Sequence, residues 1–75
     1  MPLVNVKFLE GTLSDSQKRE LIEKLTDVIV SVEGEVVRKV TWVMLEEVKS
    51  GDLGVGGKPL TTEEVKAMAA GRPRA

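Results

Sequence analysis

From residue 2 to residue 9 apolar and polar positions alternate. Pro2, Val4, Val6 and Phe8 fall on one side of an extended backbone, with Leu3, Asn5, Lys7 and Leu9 on the other. A period of two with β-branched residues predicts a strand. Proline suits its first position, where no ladder donor is required. Glu10-Gly11-Thr12-Leu13 predicts a turn, and Ser14 with Gln17 forms an S-x-x-Q capping box. The period then changes. Leu21, Ile22, Leu25, Val28, Ile29 and Val32 make one apolar stripe of a helix of about five turns, with Glu20 and Lys24 paired on its surface and Gly34 as a left-handed stop.

Val36 to Glu47 predicts the second strand, apolar or β-branched on both faces from Val40 to Leu45, as in parallel strands. Strand, helix, strand at this spacing is a right-handed βαβ crossover. One helix covers one face of two strands, so a second subunit is expected on the other face. Lys49 to Pro59 is glycine-rich and predicts a tight hairpin or bulge. It does not fit a phosphate loop, because no G-x-x-x-x-G-K-[ST] register exists and Pro59 follows the lysine. Thr61 and Glu64 form a second capping pair, and Val65, Met68 and Ala69 give a short helix an apolar edge, ended by Gly71 and Pro73. Arg72 and Arg74 read as a solvated basic tail.

Seventy-five residues imply one domain, 1–75, with a core over 2–57 and an extension over 58–75. A monomer this small buries roughly 60% of its unfolded surface, so stability usually needs disulfides, metal or oligomerisation. The chain has no cysteine and no histidine, which removes disulfides and the usual zinc ligands and leaves oligomerisation. The formal net charge of −1 argues against nucleic-acid or anionic-membrane partners, and one Trp with one Phe argues against a base-stacking surface. No apolar run is long enough to span a bilayer, and the start lacks a signal-peptide pattern, so a cytoplasmic location is expected.

Chemistry near neutral pH has few carriers in a chain without His, Cys or Tyr. Initiator methionine is commonly removed before a small residue, and Pro2 follows Met1. The new terminus would be a secondary amine. An α-amino group titrates at ~7.7–8.0, and an apolar pocket or nearby cations would lower that value.

Met1-Pro2 opening a strand, Phe8-Leu9-Glu10-Gly11, Ser14-Asp15-Ser16-Gln17-Lys18 opening a helix, and Gly54-Val55-Gly56-Gly57 after the second strand resemble the 4-oxalocrotonate tautomerase family, over about residues 2–57. The resemblance implies an α+β fold: a βαβ unit of two parallel strands, one long helix, a C-terminal hairpin and a short helix. Two such units would dimerise into a four-stranded sheet, commonly as trimers of dimers. It implies a cofactor-independent isomerase that moves a proton in enol–keto acids, with Pro2 as general base and a small-molecule enol or keto acid as partner. Members typically carry an arginine after the first Glu-Gly, a second in the second strand and an aromatic before the glycine loop. These positions hold Thr12, Trp42 and Leu53 here. Neither Thr12 nor Trp42 supplies the bidentate charge an arginine brings to a carboxylate. Arg38 and Lys39, at the start of the second strand, are the candidate substitutes. Trp42 reads as a pocket wall or an interface residue. The family's usual dicarboxylate substrates are therefore not expected to be favoured. The alternatives are a specialised or non-catalytic subunit of a hetero-oligomer, and a binding scaffold without chemistry.

Overall fold

The computed structural model describes residues 1–70, in the order β1 (Leu3–Leu9), α1 (Asp15–Glu33), a 3-10 helix (Glu35–Val40), β2 (Trp42–Val48), β3 (Leu53–Val55), β4 (Lys58–Leu60) and α2 (Thr62–Ala70). Strands β1 and β2 form one two-stranded sheet, and β3 and β4 another. The Trp42 N–H donates to the Pro2 carbonyl at 2.9 Å, and the Glu10 N–H donates to the Val48 carbonyl at 2.8 Å. Start meets start and end meets end, so β1 and β2 run parallel, as a βαβ crossover requires. The two bonds give one register, with Leu3 beside Trp42, Asn5 beside Met44 and Leu9 beside Val48.

The chain divides into two compact units. The first joins Met1–Val6 to Leu13–Glu46; the second joins Lys7–Thr12 to the chain from Glu47 on.

In the first unit Ser14 caps α1 with both halves of the expected capping box. The Ser14 hydroxyl accepts from the Gln17 N–H at 3.2 Å, and the Gln17 side chain accepts from the Ser14 N–H at 2.8 Å. The 19 residues of α1 are the expected five turns. Its apolar stripe is rotated and shortened relative to the expectation. Leu21, Leu25 and Ile29 are half-buried and Val30 is buried, whereas Ile22, Val28 and Val32 are exposed. The exposed positions run from the second turn to the last, so they mark a side of the helix that this chain leaves uncovered rather than an overhanging end.

Gly34 does end the helix, but not as a left-handed cap. Its φ of 103° and ψ of 158° lie outside that region, in backbone space that glycine enters without cost. The chain then folds into the 3-10 helix where a strand was expected from Val36. Arg38 bonds Asp27 of α1 and Glu35, and the Thr41 hydroxyl donates to the Val37 carbonyl at 2.7 Å. These local bonds override the strand preference of Val36, Val37 and Val40. Strand β2 therefore starts at Trp42. It is not covered on both faces in this chain: Val43 and Leu45 are half-buried, while Trp42 and Met44 are exposed.

In the second unit β3 and β4 pair antiparallel around Gly56-Gly57, with Val55 opposite Lys58. Positive φ at both glycines, 61° and 86°, is the type I′ geometry that suits the twist of a two-residue hairpin. Thr61 and Glu64 cap α2 as expected: the Thr61 N–H donates to the Glu64 carboxylate at 3.0 Å, and the Glu64 N–H donates to the Thr61 hydroxyl at 3.2 Å. Gly71, Arg72, Pro73 and Arg74 lie outside the described residues. Among the described residues each unit has one buried apolar side chain, Val30 in the first and Leu9 in the second.

Candidate active site

Pro2 stands at the head of β1, half-buried, with Met1 81% exposed before it. Proline has no N–H to donate, but its carbonyl accepts from Trp42, which ties residue 2 to the second strand. The pairing places Trp42 next to Leu3. Trp42 is 57% exposed, Leu3 60% and Met44 43%. Pro2 and Trp42, 40 positions apart in sequence, are thus brought together, beside an outward-facing apolar patch.

Arg38 and Lys39 are not at a strand start; both are in the 3-10 helix. The Arg38 guanidinium donates to the Glu35 carboxylate through Nε and to Asp27 Oδ1 at 2.8 Å through Nη1. Hydrogen bonds from Glu35 first and Asp27 second hold it still more firmly protonated than a free arginine. Its fork is committed to two carboxylates of its own chain, so it offers a substrate little. Lys39 is exposed in the same segment.

Thr12 and Leu53 belong to the second unit. The Thr12 N–H and hydroxyl both donate to the Leu9 carbonyl, at 3.3 and 2.7 Å, closing the first turn. Leu53 opens β3 and is 38% exposed. This unit also holds a polar knot that the local sequence patterns did not reveal. The Ser50 N–H donates to the Glu10 carboxylate at 2.8 Å, and the Thr62 N–H donates to the Ser50 hydroxyl at 3.0 Å. The Thr62 hydroxyl donates to the Glu10 carbonyl at 2.6 Å. A Cβ added at Gly11 would lie 3.2 Å from the Thr62 methyl, so the glycine admits this approach. The sequence signal was the glycine itself; its φ of 79° is what the structure adds.

A concavity of about 210 Å³ lies elsewhere in the first unit, lined by Leu13, Gln17, Glu20, Leu21 and Lys24. None of the candidate residues borders it. Its two charges neutralise each other: Lys24 and Glu20 pair at 2.6 Å, and their hydrogen bond lowers the Glu20 pKa and raises that of Lys24. Among the described residues no cluster of three or more acidic side chains could hold a metal ion, and no helix is long and apolar enough to cross a membrane.

Comparison with known proteins follows the same lines. A family model described as tautomerase enzyme matches residues 2–63. A probable tautomerase of Campylobacter jejuni is 39% identical over 69 residues, 92% of this chain and 97% of that protein. The 2-hydroxymuconate tautomerase of Bacillus subtilis is 41% identical over 64 residues, 85% of this chain and 100% of that one. Among solved structures, YwhB, described as a homologue of 4-oxalocrotonate tautomerase, superposes with a TM-score of 0.70 at 38% identity, covering 77% of this chain and 92% of its own.

Proposed function

The chain belongs to the tautomerase family, and on that premise we propose that it is a keto–enol tautomerase whose general base is the amine of Pro2, freed by removal of Met1. While Met1 is attached, the Pro2 nitrogen is an amide and cannot take a proton near neutral pH. Once free, it is a secondary amine. The amine takes the hydroxyl proton of an enol acid while the C–O bond becomes C=O and the electron pair moves onto carbon. The protonated proline then returns a proton to that carbon, so atoms and charge balance without a cofactor.

The observation that carries this reading is the Trp42 N–H to Pro2 carbonyl bond. A residue next to a chain end would ordinarily fray. Here the sheet holds Pro2 in place, which a positioned base requires.

The active form in this reading is an oligomer in the cytoplasm. One buried apolar side chain per unit among the described residues is a thin core, and Leu3, Trp42 and Met44 leave the first part of one sheet face largely apolar and exposed. A second copy covers that face, with hexamers the family's assembly. The opening beside Pro2 then lies at the strand ends, with Trp42 at its wall.

The test is the rate of phenylenolpyruvate ketonisation against pH, for protein with Met1 removed and protein that retains it. General-base catalysis contributes ~10²–10⁴-fold, so the Met1-retaining form should lose activity on that scale while its assembly is unchanged. The active form should lose rate toward acid pH as the amine is protonated. Equal rates for the two forms would remove the proline mechanism. Inactivity of the pure chain, relieved by an arginine-bearing relative in the same oligomer, would identify a specialised subunit instead.

A further inference from the structure

We infer that Trp42 is the specificity-determining residue of this site, selecting enol acids with a single carboxylate and an apolar, above all aryl, substituent. The inference rests on the Pro2 reading and goes beyond it by naming the substrate class.

Three observations carry it. First, the backbone bond from Trp42 to Pro2 fixes residue 42 beside Leu3, one residue from the base. Second, the side chain is 57% exposed, so its ring is not packed into this chain's own core. At the strand-end opening, which the second copy leaves uncovered in the Pro2 reading, an aryl group can therefore reach the ring without displacing one of this chain's packed side chains. Third, the segment leading into Trp42 has little charge to spare. Arg38 is bound by Glu35 and Asp27, leaving Lys39 as the remaining cation of the 3-10 helix.

The physical preference follows. The face of an indole is electron-rich, so it attracts the edge of an aryl ring and repels a carboxylate. A dicarboxylate would place its second charge against that face with no guanidinium to receive it. A substrate with one carboxylate and a phenyl group needs one cation and gains the stacking contact.

The experiment compares kcat/KM for phenylenolpyruvate and for 2-hydroxymuconate, using protein processed to Pro2. Variants are Trp42→Ala, Trp42→Phe and Trp42→Arg. The natural protein should favour phenylenolpyruvate. Trp42→Ala should lose about 10-fold on it, the scale of one aromatic contact, and change little on 2-hydroxymuconate. Trp42→Phe should keep the preference, and Trp42→Arg should move it toward the dicarboxylate. Binding has its own readout, because Trp42 is the single tryptophan of the chain. Phenylpyruvate should quench its fluorescence saturably.

Failures of the two readings look different. If turnover requires the free Pro2 amine but Trp42→Ala leaves the substrate ratio within twofold, or quenching does not saturate, the Trp42 inference is wrong and the proline mechanism stands. If neither enol is turned over, or Met1 retention has no effect, the proline reading falls and this inference with it.

Discussion

Replacing Thr62 by valine tests the polar knot that joins the first turn to α2. Thr62 is 8% exposed, and its hydroxyl donates to the Glu10 carbonyl at 2.6 Å. Valine keeps the shape and substitutes a methyl for the hydroxyl. A methyl carbon cannot sit 2.6 Å from a carbonyl oxygen, since even favourable C–H···O contacts lie at ~3.3–3.6 Å, so the turn and helix must part by roughly 0.7 Å. The lost bond is worth about 0.5–1.5 kcal/mol, and a buried carbonyl left without its donor costs about 1–3 kcal/mol. Glu10 is only half-buried, so water can recover part of the second amount, and about 2 kcal/mol is the expected total. For a domain of this size that is a fall in Tm of about 8–16 °C. The assay is thermal and denaturant unfolding followed by circular dichroism, at one fixed protein concentration because assembly shifts apparent stability. Thr62→Ser is the control. It keeps the hydroxyl and loses only the methyl against Gly11, about 0.8 kcal/mol. Ser50→Ala should be coupled to Thr62→Val by at least about 0.5 kcal/mol, because both act on one network. A valine variant as stable as the serine one would refute the argument.

Four further outcomes are expected. Ser14→Ala removes one half of the α1 capping box and should cost about 1 kcal/mol in thermal or chemical unfolding. Gly34→Ala should cost about 1–3 kcal/mol by the same measurement. No heavy atom lies within 4 Å of the added Cβ, so the cost comes from the φ of 103° alone. Thr12→Arg should raise kcat/KM for 2-hydroxymuconate if Thr12 lines the pocket, at a stability loss of about 1 kcal/mol from the missing bond to Leu9; an unchanged rate in a folded oligomer would place Thr12 outside it. Hydrogen bonds from Thr61, main chain first, lower the Glu64 pKa below 4.5. A depressed carboxylate stabilises the fold above its ordinary pKa, and that contribution fades as pH falls through the lower folded value. The Thr61 amide resonance should therefore titrate below pH 4.5 and stop doing so in Glu64→Gln.

Much of the architecture was legible because it rests on bonds between near neighbours. Both capping boxes span three residues, α1 repeats every 3.6, and the hairpin needs two residues that accept positive φ. Each can be read in a window of a dozen positions. The start of β2 could not be. Val36, Val37 and Val40 favour a strand on their own, but Asp27, eleven residues before Arg38, helps hold that stretch as a 3-10 helix. Arg38 looked available to a substrate for the same reason: sequence shows a charge, not the two carboxylates already bound to it.

For the candidate site, the sequence by itself determined which groups exist: a proline at position 2, no histidine or cysteine to compete with it, and Thr12, Trp42 and Leu53 in place of charged or aromatic residues. Tertiary structure alone decided which of them meet. Trp42 reaches Pro2 only because β2 returns parallel to β1, and Glu10 meets Ser50 and Thr62 across 40 and 52 residues. Such contacts leave no local period to read. They form because a strand end and a helix start must satisfy their backbone donors and acceptors wherever the fold carries them. Which apolar residues of α1 are buried was settled in the same way, by which side of the helix the rest of the chain covers: Leu21, Leu25, Ile29 and Val30 lie on it, Ile22, Val28 and Val32 do not.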